Sequence, residues 1–224
     1  MNIANHRETD KARVFVQCTV VKKHGAFIVL EGPDKSGKST QARRLVDALR
    51  ALGRTVTHTR EPGGGAVAEA VRRVLLDPAL SVDPLAELFL YEASRAQHAR
   101  ELLRPALLRG ETVVCERYTM STDAYQGLAR GLGLKLTRAL NRLATEGLKP
   151  DLTVIIDVPD SEFARRDRAR VHDRLERESA AFRRRVRAGY RRLARAPRTV
   201  LLDGRRPEDE LHADILARAL RAGA

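Results

Sequence analysis

Residues Gly32 to Ser39 read Gly-Pro-Asp-Lys-Ser-Gly-Lys-Ser, which fits the spacing G-x-x-x-x-G-K-[ST] of a phosphate-binding turn. A glycine-rich turn between a buried strand and a helix start aims several backbone N–H groups, and the positive end of the helix dipole, at one point, and a polyphosphate suits that point. The flanks agree: the apolar run Ala26 to Leu30 precedes the turn, and Thr40 to Leu52 follows it with Leu45, Leu49 and Leu52 at helical spacing. Gly32, Pro33, Asp34, Lys35, Ser36, Gly37, Lys38, Ser39 and Thr40 are therefore candidates to hold nucleotide phosphates. In the generic mechanism Lys38 reaches the β- and γ-phosphates and the Ser39 hydroxyl takes a place on Mg²⁺.

The elements that must position this turn alternate along the chain. Strands are predicted at Ala26 to Leu30, Thr55 to Thr59, Thr112 to Cys115, Leu152 to Val158 and Thr199 to Asp203. Helices are predicted at Thr40 to Leu52, Ala66 to Leu76, Leu85 to Leu108, Leu134 to Glu146, Ser179 to Ala194 and Glu208 to Arg221. Strands such as VIID and TVVC are apolar without alternation, as in a parallel sheet covered on both faces, so the fold class is α/β. Ligands then collect beyond the carboxyl ends of the strands, where the sequence places Arg60-Glu61-Pro62-Gly63-Gly64, Glu116-Arg117-Tyr118 and Pro159-Asp160. Residues 1–25 fall outside the scheme: Met1 to Arg13 is polar and expected to be disordered, while Val14 to Val21 could add an edge strand.

Composition narrows the function. A chain of 224 residues suits one α/β domain with one core. Cys18 and Cys115 lie far apart with no C-x-x-C partner, so buried thiols are expected, not a disulfide or a metal site, and with no membrane-length apolar stretch or secretory signal the expected location is the cytoplasm. The formal charge of +13 is concentrated: between Phe163 and Arg198 stand fourteen arginines against four acids. Aromatics are scarce there, so a stacking platform for single strands is not evident and no nucleic-acid partner is expected. Arg183 to Arg198 reads as a solvated helix face, and Arg165 to Arg174 as a cluster that closes over a polyanion.

Taken together, FIVLEGPDKSGKST, TREPGG, ERYTMSTDAYQG, PDLTVIIDV and DRLERES occur in the order and spacing of bacterial thymidylate kinases, within the P-loop nucleoside monophosphate kinases, and residues 26 to about 220 resemble that family. The phosphate loop alone would indicate only a nucleotide-binding protein; TREPGG and S-T-x-A-Y-Q-G are the specific parts. The resemblance implies a five-stranded parallel sheet flanked by helices, a mobile lid near residues 163–178, a homodimer, and phosphorylation of dTMP to dTDP by ATP with Mg²⁺.

It also implies residue roles. Arg117 binds the acceptor monophosphate, Arg60 and Pro62 flank it, and Asp34 is directed at the acceptor sugar. Tyr91 and Arg95, four apart and so on one helix face, stack on the base and donate to it; the family usually has phenylalanine at Tyr91. Ser121, Thr122 and Gln126 line the acceptor pocket, and the Tyr125 ring disfavours a 2′-hydroxyl. Among the lid arginines Arg166 and Arg170 share a face and are the catalytic candidates, supplying what Lys35, a point charge without a bidentate fork, replaces imperfectly.

One departure stands out. The family motif normally begins Asp-Arg, and this chain has Glu116-Arg117. One more methylene moves the carboxylate about 1.5 Å farther out, and errors of that size near reacting atoms cost about a hundredfold in rate. Glu116 is assigned the aspartate's role, touching Mg²⁺ through water or orienting Arg117. Glu-Arg also occurs in deoxynucleoside kinases, which phosphorylate a 5′-hydroxyl; that activity, or a nucleotide-binding paralogue with weak turnover, is the alternative.

Overall fold

The computed structural model describes residues 25–166 and 172–224; the strand considered at Val14 to Val21, Cys18, and the lid arginines Arg168 and Arg170 lie outside them. Five strands, β1 (Phe27–Glu31), β2 (Val56–Arg60), β3 (Thr112–Glu116), β4 (Leu152–Asp157) and β5 (Thr199–Asp203), form one parallel sheet in the order β2-β3-β1-β4-β5. The unbroken apolar runs are the strands buried on both faces, β1 and β4 along their whole length and β3 up to Glu116, whereas the edge strands β2 and β5 are partly exposed.

Helices cover both faces. Leu45, Val46 and Leu49 of α1 (Lys38–Ala51) and Leu211 and Ile215 of α9 (Glu208–Arg221) pack over Ile28, Leu30, Val114, Val154 and Ile156. On the other face Ala99, Leu103 and Leu107 cover Phe27, Val29 and Val113, while Phe182, Val186 and Tyr190 of α8 (Ala180–Leu193) cover Ile155. The remaining helices are α2 (Ala66–Leu76), α3 (Pro84–His98), α4 (Arg104–Leu108), α5 (Thr119–Thr122), α6 (Leu134–Thr145) and α7 (Asp160–Arg166).

Three elements differ from the sequence expectation. The single helix predicted from Leu85 to Leu108 is α3, a π-helical turn at Ala99–Leu103, and α4. Pro105 has no N–H to return to Glu101, so the regular ladder cannot run through. The S-T-x-A-Y-Q-G segment forms α5 and a second π-helical turn, Asp123–Ala129, and the polar residues after β4 form α7. Because every strand points the same way, the loops after β1, β2 and β3 meet at one edge of the sheet.

Candidate active site

Gly32 and Gly37 let the phosphate loop fold. At Gly32 φ is +136° and a Cβ would stand 2.3 Å from the Ile156 carbonyl oxygen; at Gly37, which caps α1, space is open but φ is +99°. Only glycine takes both positions without strain. The loop bends around a crevice of about 1030 Å³ lined by Asp34 to Thr40, Arg60, Arg72, Glu116, Arg117 and Arg166. Lys38 Nζ is turned onto the loop, donating to the Pro33 carbonyl at 2.6 Å. Burial, and next the Arg117 charge, lower its pKa to about 7, against the pull of Asp34, Glu31 and Glu116.

Arg117, at the end of β3, has φ +68°, an unusual backbone for a non-glycine residue. That turn sends its side chain back over β1, where it donates to the Gly32 carbonyl and the Ser121 and Tyr190 hydroxyls at 3.1 to 3.2 Å, and pairs with Asp34. Tyr125 also donates to Asp34, at 2.9 Å. Burial opposes the Asp34 charge, but Arg117 and Lys38 outweigh it and lower its pKa. Beneath lies Glu31, fully buried, accepting from the Tyr118 and Ser121 amides and the Ser121 and Tyr190 hydroxyls; desolvation raises its pKa despite Arg117 and these bonds.

A second cavity, about 570 Å³, opens beside the first. Tyr91, Arg95, Ser121, Thr122, Tyr125, Gln126 and Pro62 all line it, and Asp34, Glu61, Arg72, Arg117 and Asp173 border both cavities. Arg95 is only 2% exposed. Its Nε donates to Glu61, its Nη1 to Glu92, Thr122 and Asn141, all at 2.8 to 2.9 Å, and its Nη2 to the Tyr118 carbonyl at 3.1 Å. Of five N–H groups, one on Nη2 is left for a ligand, so the fork expected from the sequence is mostly spent on holding the arginine still. Glu61 is itself held by His98, which reaches Thr59. Gln126 donates an amide N–H to buried Glu87 at 2.7 Å.

Arg60 departs from expectation. Its side chain is 54% exposed, pairs with Glu69, and lines the crevice at the phosphate loop, not the cavity beside Tyr91 and Arg95. Besides Arg117, the arginine that borders both cavities is Arg72, which donates to the Pro62 carbonyl at 2.8 Å. The sequence held a signal for it: Ala68 and Leu75 are the buried residues of α2, and Arg72 shares their helix face, an odd place for a cation with no task.

Lid arginines separate by helical phase. Arg165 is exposed and pairs with Glu162, whereas Arg166 reaches the Lys35 and Ser36 carbonyls at 3.3 to 3.4 Å and the Gly204 carbonyl at 2.8 Å. From His172 onward the chain docks on the site: Glu176 pairs with Lys35 at 2.8 Å, and Arg174 pairs with Glu87 at 2.6 Å. Farther on, Arg183 pairs with Asp160, and Arg187 and Arg191 with Asp157, so that helix face is only in part simply solvated.

Ser39 donates to Glu116 Oε2, and His58 lies 3.1 Å from Oε1. Burial opposes the Glu116 charge, but the bonds from His58 and Ser39 and the Lys38 charge hold its carboxyl below the ordinary range. A hydroxyl and an ionised carboxylate at a phosphate crevice are the oxygen donors a hard divalent cation takes alongside phosphate oxygens and water. Among the described residues no cluster of three or more His, Cys, Asp or Glu could cage a metal alone. Cys115 is buried and donates to the Arg117 carbonyl at 3.1 Å.

Comparison with known proteins gives a consistent result. The thymidylate kinase family profile matches residues 30–215. A thymidylate kinase of Deinococcus radiodurans is 52% identical over 202 residues, covering 89% of this chain and 98% of the relative. One from Desulfosudis oleivorans is 46% identical, covering 85% and 94%. The crystal structure of thymidylate kinase from Ehrlichia chaffeensis superimposes with a TM-score of 0.71 at 32% identity, covering 87% of this chain and 97% of its own.

Proposed function

The chain belongs to the thymidylate kinase family and phosphorylates dTMP to dTDP with ATP, and from that premise we propose that transfer takes place across the wall formed by Asp34 and Arg117. The observation that carries the proposal is that this pair borders both cavities, with Lys38 on one side and Tyr91 and Arg95 on the other. The β- and γ-phosphates of ATP lie over Gly37 to Thr40, and Lys38 leaves the Pro33 carbonyl to meet them. The acceptor base lies against Tyr91 with the free Arg95 N–H and Gln126 at its edge. Its monophosphate then falls between Arg117 and Arg72.

One bond, from the γ-phosphorus to the oxygen shared with ADP, breaks, and one to an oxygen of the acceptor phosphate forms. The transition state is loose, so the protein contributes alignment and positive charge more than covalent chemistry. Arg117 spans loop and acceptor, and Arg166 closes the loop from the lid. Asp34 repels a misplaced acceptor phosphate and faces the sugar, where the Tyr125 ring leaves little room for a 2′-hydroxyl. Ser39, and Glu116 through water, would hold Mg²⁺, which when bound neutralises the β- and γ-oxygens. Turnover with dTMP exceeding that with dUMP, dCMP, dGMP or thymidine in an ADP-release assay supports this reading; faster turnover of thymidine would sink it in favour of a nucleoside kinase.

We propose a homodimer formed through α2, α3 and α6, which carry the exposed Val67, Val74, Phe89 and Leu143. Exposed apolar side chains gathered on adjacent helices suit a second copy, and sedimentation of Phe89→Asp as a monomer would support that face. No described helix is long and apolar enough to cross a membrane; a cytoplasmic location is proposed with the family.

A further inference from the structure

Glu116 stands where a shorter carboxylate is usual in the family, and a longer side chain has one more torsion to fix before it can serve a metal-side role. The structure shows what fixes it. His58 lies on β2, and the parallel register pairs His58 with Val114 and Arg60 with Glu116. Side chains two apart share a face of a strand, so His58 and Glu116 are diagonal neighbours on one face of the sheet. The two carboxylate oxygens are divided: Oε2 accepts from Ser39 of the phosphate loop, and Oε1 faces His58 Nε2 at 3.1 Å. Toward a carboxylate the imidazole donates, and it can do so both as the Nε2–H tautomer and as the imidazolium. The contact therefore holds whatever the ring's charge.

We propose that His58 is a positioning residue of the transfer reaction: it anchors the outer oxygen of Glu116, takes up the extra methylene, and presents the inner oxygen to the Ser39 side of the phosphate crevice. The inference rests on the reading of Ser39 and Glu116 as the metal side of that crevice. Three features favour it over a chance surface contact. Among the described residues, His58 and Ser39 are the hydrogen-bond partners of this carboxylate. Glu116 is the more enclosed partner, its side chain 15% exposed against 28% for His58. Finally, an imidazole on a strand has two torsions and a fixed reach, so it restrains Glu116 at little entropic cost of its own. Partners that orient a metal-side ligand usually matter by about 10- to 100-fold in metal affinity or activity. With Ser39 still in place, the lower end is expected here.

The test is Mn²⁺ binding in the presence of a non-hydrolysable ATP analogue, followed by electron paramagnetic resonance, alongside kcat and KM for ATP. His58→Leu should weaken Mn²⁺ binding about tenfold and lower kcat more than it raises KM. His58→Gln, which keeps a donor, should recover most of both, while thermal midpoints stay together. In the Glu116→Asp background, where the carboxylate no longer reaches β2, His58→Leu should add nothing. Equal losses from His58→Leu in both backgrounds, or unchanged Mn²⁺ affinity in the single variant, overturn the proposal. Glu116→Gln separates the two layers. If it leaves Mn²⁺ affinity unchanged, the metal-side reading itself fails and the proposal with it; if it loses Mn²⁺ while His58→Leu does not, only the role of His58 fails.

Discussion

The acceptor cavity and the phosphate crevice share a wall but are built on opposite plans. Around Arg95, acceptors from α3, α5, α6 and the loops after β2 and β3 occupy all but one of the guanidinium donors. The buried charge is compensated by protein, so the geometry exists before any ligand arrives. Around Lys38 the hydrogen-bond contacts are one loop carbonyl and a distant serine hydroxyl, and among the described residues no carboxylate pairs with the ammonium directly. A base is read by a fixed edge, which demands rigid donors. A moving phosphoryl group is served by charges whose best partner is the substrate.

The largest expected effect falls on the compensated side. Arg95→Ala leaves Glu61 and Glu92 buried without their cation, and breaking such a pair costs about 3–5 kcal/mol. Chemical unfolding should show that loss together with a fall in dTMP affinity that far exceeds any fall for ATP. Lys38→Ala is the mirror experiment: kcat should drop by at least about a hundredfold, while the thermal midpoint stays or rises. An unstable Lys38→Ala or a stable Arg95→Ala would erase the contrast.

A proton count sharpens it. In the unfolded chain Lys38 keeps its proton to about 10.5, and in the folded chain without nucleotide it loses it above about 7. Stability from this group therefore rises with pH between those values, since the unfolded state binds the extra proton. Bound polyphosphate restores the charge. At pH 8 nucleotide binding should take up a fraction of a proton approaching one, and affinity should weaken as pH climbs; at pH 6 the uptake from lysine vanishes. Calorimetry in two buffers of different ionisation enthalpy measures it, and Lys38→Arg, charged throughout, should abolish the uptake at pH 8.

Smaller effects come last. Tyr125→Ala should narrow the preference for deoxyribonucleotide over ribonucleotide acceptors, measured as a ratio of kcat/KM values, and an unchanged ratio removes the ring from sugar discrimination. Arg60→Ala should cost no more than about 1 kcal/mol of stability, because an exposed pair such as Arg60–Glu69 contributes little.

Local rules carried the sequence a long way. Unbroken apolar runs identified the buried strands, the glycine spacing located the phosphate loop, and helical phase separated Arg165 from Arg166, because each depends on residues close in the chain. What escaped depends on contacts between distant segments. Arg72 carries a local hint in sharing the helix face of Ala68 and Leu75, but that Arg72 and not Arg60 borders the cavity beside Tyr91 follows from how α2 packs against the loop after β2. Arg95 reads as a free donor until Glu61, Glu92, Thr122 and Asn141 converge on it, and Glu116 reads as a departure until β2 brings His58 alongside. The sequence determines by itself which backbone turns are possible and which faces are apolar. Only the tertiary structure decides how buried charges are shared out, because each hydrogen bond one residue takes is a donor or acceptor withdrawn from every other.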